Sequence, residues 1–177
     1  MIQPLNEQAV DSVIQIFSGL PHFFNPLAIN RLKEDIKSFL KKKPEPEEGG
    51  FYVYMEDLEV IGVIGYRRMK WQREYEITWL AARADRQRRS VGRNLVTFLE
   101  NLLQKHNLQL ITVNIPEDQR SRNFYFQMGF RSVNRFFDKD GEMLVYEKKY
   151  GFVKDKCQEL VADYLRRKKL KDIKKKK

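Results

Sequence analysis

Arg86, Arg88, Arg89 and Arg93 crowd around Ser90, a density of guanidinium groups suited to holding a phosphate-bearing ligand. Their setting strengthens that reading. Upstream, in Tyr75–Ala82, Ile77, Trp79 and Ala81 alternate with Thr78 and Leu80, which predicts a strand. Downstream, Val91, Leu95, Leu99 and Leu102 fall at helical spacing, which predicts a helix beginning near Ser90. A strand, a basic turn and a helix N-terminus together form an anion site. The first-turn N–H groups have no acceptor within the helix, and the helix dipole favours negative charge there. A diphosphate is the natural guest. Taken alone, a solvated charge run accounts for the arginines equally well.

Three motifs in order narrow the choice. Gln87, Arg88, Arg89, Ser90, Val91 and Gly92 resemble the Arg/Gln-x-x-Gly-x-Gly/Ala motif of the GNAT superfamily of N-acetyltransferases, which binds the pyrophosphate of acetyl-CoA. Glu76 stands upstream at a strand position where many members carry a catalytic carboxylate. Phe124, Tyr125, Gly129 and Phe130 are similar to the family's Phe/Leu-Tyr-x-x-x-Gly-Phe signature. The resemblance spans roughly Met1 to Tyr150. It implies a mixed α/β fold, a mostly antiparallel sheet of about seven strands flanked by helices. It also implies acetyl-CoA as acyl donor, held by Leu80, Ala81, Ala82, Gln87, Arg88, Arg89, Ser90, Val91, Gly92, Arg93, Asp118 and Ser121. In the family the ligand strand splays from its neighbour and frees amides for the pantetheine arm, so a backbone N–H near Leu80 or Ala81 is expected to meet the oxyanion.

Acetyl transfer to an amine needs a deprotonated nitrogen, a stabilised oxyanion and a proton for the departing thiolate. For a lysine, with a pKa of about 10.4, the neutral amine lies about 4–5 kcal/mol uphill at pH 7; for an α-amine the cost is nearer 1 kcal/mol. The resemblance makes Glu76 the candidate base and Tyr125 the candidate acid. A phenol is protonated at neutral pH and can supply the thiolate. Two positions depart from the family pattern in ways that bear on the donor. Ser90 replaces the first motif glycine; it can cap the helix, but its Cβ resists a positive φ. Asp118 stands where many relatives place a cofactor-touching asparagine, and its charge suits a helix cap better than a phosphate. Ala84, in place of a frequent proline, matters little.

Composition sets the wider frame. A chain of 177 residues, 42% hydrophobic and 33% charged, fits one globular domain with a full core. Its net charge of +10 is uneven: Gly151–Lys177 holds eleven Lys/Arg and four Asp/Glu, or +7, leaving +3 for the body. The uncharged run Ser12–Asn30 is broken by Pro21 and Pro26, so no membrane span is expected. The start lacks a basic and apolar leader, and a lone Cys157 suits a reducing compartment, so the cytoplasm is expected. His22, His106 and Cys157 lack metal-ligand spacing, and no metal is expected.

The remaining elements serve to position the site. A short strand at Ile2–Leu5 precedes a helix capped by Asn6, with Val10, Val13, Ile14 and Phe17 on one face. After a break at Leu20–Pro26, a second helix runs from Leu27 to Lys42; the resemblance sets this junction beside the acceptor pocket, where Phe23 and Phe24 serve as either lining or core. Lys41–Gly50 reads as a loop, Phe51–Met55 and Val60–Tyr66 as a hairpin, and Leu108–Val113 as a strand parallel to the ligand strand. Asp118 caps a helix that Gly129 ends, and Asp140-Gly141 turns a closing hairpin of Arg131–Phe137 and Met143–Lys149. Val153, Cys157, Leu160, Val161 and Tyr164 share one face of an expected C-terminal amphipathic helix, followed by a basic segment from Arg166 to Lys177. The expected division is an acetyltransferase domain at 1–150 and this appended element at 151–177.

Two functions follow. The first is an N-acetyltransferase acting by direct attack of a primary amine, whether small molecule, peptide N-terminus or protein lysine. The second is a catalytically weak acyl-CoA-binding module, tethered to RNA, ribosomes or acidic partners by the lysine-rich tail. Sequence leaves the oligomeric state open between monomer and homodimer.

Overall fold

The computed structural model describes residues 1–70, 73–87, 89–138 and 141–151. Strand β1 (Ile2–Pro4) leads through a 3-10 turn into helix α1 (Val10–Ser18), and helix α2 (Pro26–Lys42) follows. Strands β2 (Gly49–Glu56), β3 (Glu59–Arg68) and β4 (Glu74–Ala82) come next, then helix α3 (Val91–Gln104), strand β5 (Leu110–Pro116) and helix α4 (Gln119–Gln127). Strands β6 (Arg131–Asp138) and β7 (Gly141–Lys149) close the domain. One seven-stranded sheet, in the order β1-β2-β3-β4-β5-β7-β6, carries all the strands. Every neighbouring pair is antiparallel except β4 and β5, whose parallel pairing follows from the α3 crossover.

Local chemistry sets the element ends. The Asn6 and Asn25 side chains accept from the Ala9 and Ala28 amides at 3.1 and 2.8 Å, and Pro26 opens α2 where its missing N–H costs nothing. Asp57 and Leu58, both at positive φ (49° and 67°), form the β2–β3 turn; this conformation matches the twist of a hairpin. Strand β5 starts and ends later than its apolar run predicts. Leu108 is still tied to α3, its amide donating to the Leu103 carbonyl, and pairing with β7 carries the strand on to Pro116.

The sheet has a core on each face. Leu95, Leu99 and Leu103 of α3 pack with Ile111 and Phe130 on one side; Val13 and Phe17 of α1 and Leu32 and Ile36 of α2 pack on Val53 and Val63 on the other. Alternation along β4 does not run as the sequence pattern predicts. Gly65 opposes Trp79 while Tyr66 opposes Ile77, so Thr78 is an extra residue in a β-bulge. Tyr75 and Ile77 therefore join the α3 core, whereas Trp79 and Ala81 join the α1/α2 core. Trp79 is fixed there by edge packing on Phe17 and by its indole N–H donating to Asp35 Oδ2 at 2.8 Å.

At the far end, Glu100 of α3 accepts from Lys148 Nζ at 2.7 Å and from the Tyr150 hydroxyl at 2.6 Å. The chain beyond β7 is thereby pinned to α3 as far as Tyr150. The expected helix through Val153, Cys157, Leu160, Val161 and Tyr164 lies outside the described residues.

Gly62 is where β3 meets the start of α3: a Cβ there would lie 2.5 Å from Val91 Cγ1 and 3.1 Å from Leu95 Cδ1. Gly62→Ala is expected to cost about 1–3 kcal/mol, read by urea denaturation, because the overpacked helix must shift. Tyr52, Tyr66 and Tyr75 adjoin in a row, and burial is the first cause raising each phenol above its ordinary value. Their contribution to stability is whole below the unfolded value and lost as pH climbs past it. Denaturation midpoints should hold up to about pH 9 and fall above about pH 10, with the tyrosinate absorbance of these three rings rising as the chain unfolds.

Candidate active site

The site begins where the sheet parts. β4 and β5 pair only from Glu74↔Leu110 to Ile77↔Val113; beyond that point Trp79–Ala82 keep only β3, and Asn114–Pro116 keep only β7. The bulge at Thr78 bends β4 at this point. The Arg83 amide donates to Ile61 of β3 at 2.9 Å, so by the alternation of an antiparallel pair the Leu80 and Ala82 amides face away from β3, into the gap. A cleft of about 620 Å³ occupies the gap. It is lined by Leu20, Phe23 and Phe24 from the α1–α2 side and by Ser90, Gly92 and Tyr125 from the α3/α4 side, so it runs through the sheet from face to face.

One wall is the start of α3. Its first bond runs from the Asn94 amide to the Ser90 carbonyl at 2.8 Å, which leaves the Val91, Gly92 and Arg93 amides without helical acceptors. Ser90 does not cap this end: it holds φ 61° and ψ 7°, and its hydroxyl makes no capping bond. The amides stay available to a ligand, and a serine in the left-handed region costs about 1–2 kcal/mol. Gly92 admits the Phe124 ring, which a Cβ would meet at 3.3 Å. Gln87, Arg86 and Arg93 line the cleft as well. Among the described residues the buried Nε of Arg86 makes no hydrogen bond; it lies 3.8 Å from Asp85 Oδ2, and Nη1 lies 3.4 Å from Glu56 Oε2. A guanidinium lining the cleft beside free helix amides fits a phosphate group. Arg83 is already committed to Glu59 and Asp85, both at 2.7 Å, and its guanidinium pulls the Asp85 carboxyl below the usual range. Arg89 is exposed and outside the cleft lining, and Arg88 lies outside the described residues.

The opposite wall is α4. Asp118 caps it, Oδ1 accepting from the Ser121 amide at 2.9 Å, while its Oδ2 is buried without a partner. Ser121 lines the cleft and Asp118 does not. The helix ends at Gly129, φ 89°, where the Gly129 amide donates to Phe126 and the Phe130 amide to Tyr125, both at 3.0 Å. This is a Schellman motif, whose usual apolar contact is here the edge-on packing of Phe130 on Tyr125, ring centres 5.4 Å apart. The spacing Phe-Tyr-x-x-x-Gly-Phe is thus a clamp on Tyr125. Its phenol borders the cleft at 5% exposure, and burial alone raises its pKa, so it stays protonated through neutral pH.

Glu76 is placed differently. It leaves β4 on the face opposite Tyr75 and Ile77, is 7% exposed, and does not line the cleft. Its Oε2 accepts from Arg67 Nε at 2.8 Å, with Arg67 Nη2 at 2.6 Å, and its Oε1 accepts from Asn114 Nδ2 at 3.0 Å. Asn114 does line the cleft. Sequence reasoning missed both Arg67 and Asn114. The signal for Asn114 was available, since it is a polar residue between Val113 and Ile115 in an apolar strand. The partner of Glu76 on β3 could be found only from strand register. Among the described residues no cluster of three or more His, Cys, Asp or Glu could hold a metal, and no helix is long and apolar enough to cross a membrane.

The sequence profile of the acetyltransferase (GNAT) family matches residues 16–130. The chain belongs to that family, and it is an acyl-CoA N-acyltransferase of the GNAT type. No curated protein matches it in sequence. Solved structures match it in fold. A GNAT-family protein from Desulfovibrio desulfuricans aligns with a TM-score of 0.76 at 17% identity, covering 84% of this chain and 98% of its own. The PaiA N-acetyltransferase from Thermoplasma acidophilum, in complex with coenzyme A, aligns at 0.70 and 17%, covering 85% and 98%. The ribosomal-protein-S18-alanine N-acetyltransferase from Escherichia coli aligns at 0.66 and 14%, covering 86% and 94%.

Ser90→Gly is expected to stabilise the fold by about 1 kcal/mol, measured by urea denaturation, because glycine takes a positive φ without Cβ strain. A loss of stability would show that the Ser90 side chain supports the turn.

Proposed function

We propose that the chain moves an acetyl group from acetyl-CoA to a primary amine that attacks directly. The observation that carries this reading is the parting of β4 and β5, which opens one passage between a cationic helix end and an aromatic mouth. The α3 amides from Val91 to Arg93, with Gln87, Arg86 and the Arg93 side chain, hold the diphosphate. The Leu80 and Ala82 amides, beside Ala81, take the pantetheine arm and the acyl oxygen, and Ser121 borders the same arm. The thioester supplies the acetyl group: the C–N bond forms as the C–S bond breaks. Asp118 stays a helix cap, since its charge opposes phosphate.

Proton traffic falls to two residues. Tyr125, kept neutral by burial, gives its proton to the leaving sulfur and regains one from solvent. Glu76 receives the proton that the amine gives up, through a water. Arg67 saturates Oε2, but among the described residues Oε1 accepts only from Asn114 and keeps a lone pair. The domain ends near Tyr150, where the Glu100 clamp closes, and 151–177 is an appended basic element.

The test is calorimetry with CoA, joined to thiol release from acetyl-CoA across a panel of primary amines. Tyr125→Phe and Glu76→Gln should each lower kcat by about 10²–10⁴-fold while CoA affinity stays within about twofold. Absence of any heat with CoA at modest ionic strength would overturn the reading.

A further inference from the structure

The Arg67–Glu76–Asn114 chain does more than hold a carboxylate. An ionised carboxylate only accepts hydrogen bonds, so the Asn114 amide must present its NH2 to Glu76. Its oxygen then has to point elsewhere. Val113 and Ile115 are buried in the α3 core, which sends the Asn114 side chain to the other face, the one shared by Trp79 and by Phe24 at the cleft mouth. Asn114 is also the first β5 residue past the point where β4 lets go. It is exposed and lines the cleft, whereas Glu76, one hydrogen bond behind it, does not.

We propose that Asn114 receives the acceptor: with Nδ2 held by Glu76, its Oδ1 accepts an N–H of the attacking amine and turns the nitrogen lone pair toward the passage. The proposal rests on the acetyl-transfer reading and adds a specificity-determining residue to it. Asn114 touches the substrate; Glu76 keeps its role as proton acceptor and also positions the amide, and Arg67 is a positioning residue acting through it, since Arg67 stops the carboxylate from swinging and the carboxylate stops the amide from flipping. The arrangement suits a reacting group that donates hydrogen bonds. A primary amine meets that condition. A carboxylate or phosphate at the reacting position does not.

The experiment uses the full chain, with alanine amide, lysine methyl ester and spermidine as amine probes and CoA thiol release as readout. Asn114→Ala should lower kcat/KM for the best probe about ten- to hundredfold, leaving the KM for acetyl-CoA and the calorimetric affinity for CoA unchanged. Arg67→Gln should lower the same amine kcat/KM and Arg67→Lys should recover part of it, again with CoA binding intact. Equal losses toward amine and CoA in Asn114→Ala, or an unchanged amine kcat/KM, would overturn the assignment while sparing acetyl transfer itself. Wild-type protein that binds CoA yet releases no thiol with any probe would instead overturn acetyl transfer, and this assignment with it.

Discussion

The separation of β4 from β5 governs the rest of the molecule. Backbone amides inside a sheet are normally spent on neighbouring strands, and a buried amide without a partner is costly. Here the cost is limited because each strand keeps one partner, β3 for β4 and β7 for β5, and only the inner edges are released. The outer edge of β5 is covered by β7, which lies between β5 and β6. The bulge at Thr78 and the anchoring of Trp79 to Asp35 and Phe17 hold the bend on the β4 side. A pair of extended strands thus becomes a row of donors aimed at empty space.

Around that gap the structure tolerates several local violations at once. Ser90 holds a left-handed backbone without a cap, the buried Arg86 Nε makes no hydrogen bond among the described residues, and the first α3 amides lack helical acceptors. Each is unfavourable by about a kcal/mol or more, and all of these residues line the same cleft. The large apolar core under α3, with Leu95, Leu99 and Leu103 fully enclosed, holds the helix end in place regardless. Locally strained groups that share one cleft are the signature of a site complete only with its ligand.

Much of this was legible in the sequence because it rests on local chemistry. The asparagine and aspartate caps, the Gly129 stop and the helix after the basic turn all depend on residues within a few positions of one another. The parallel strand also followed, since a single crossover helix returns the chain to the sheet in the same direction. What stayed hidden was non-local. The Thr78 bulge reverses the facing of Trp79 relative to Ile77, and no alternation pattern carries that information. The pairing of Glu76 with Arg67 and Asn114 needs the register of three strands, which are far apart in sequence. Composition suggested a basic turn, yet Arg83 is neutralised by Glu59 across the β3–β4 pair.

One feature of the sheet bears on how a large nucleotide could enter. Four residue pairs, Glu74–Ile77 against Leu110–Val113, are all that joins the two halves of the sheet directly. On one side stand β1 to β4 with α1 and α2; on the other, β5 to β7 with α4. Helix α3 bridges this short seam from one face: its leucines pack on Ile61 and Ile64 of β3 and on Ile111 of β5, and Glu100 ties it to Lys148 of β7. The two halves are thus joined through side chains where the backbone ladder stops, and the passage stays open at its mouth without a strand crossing it.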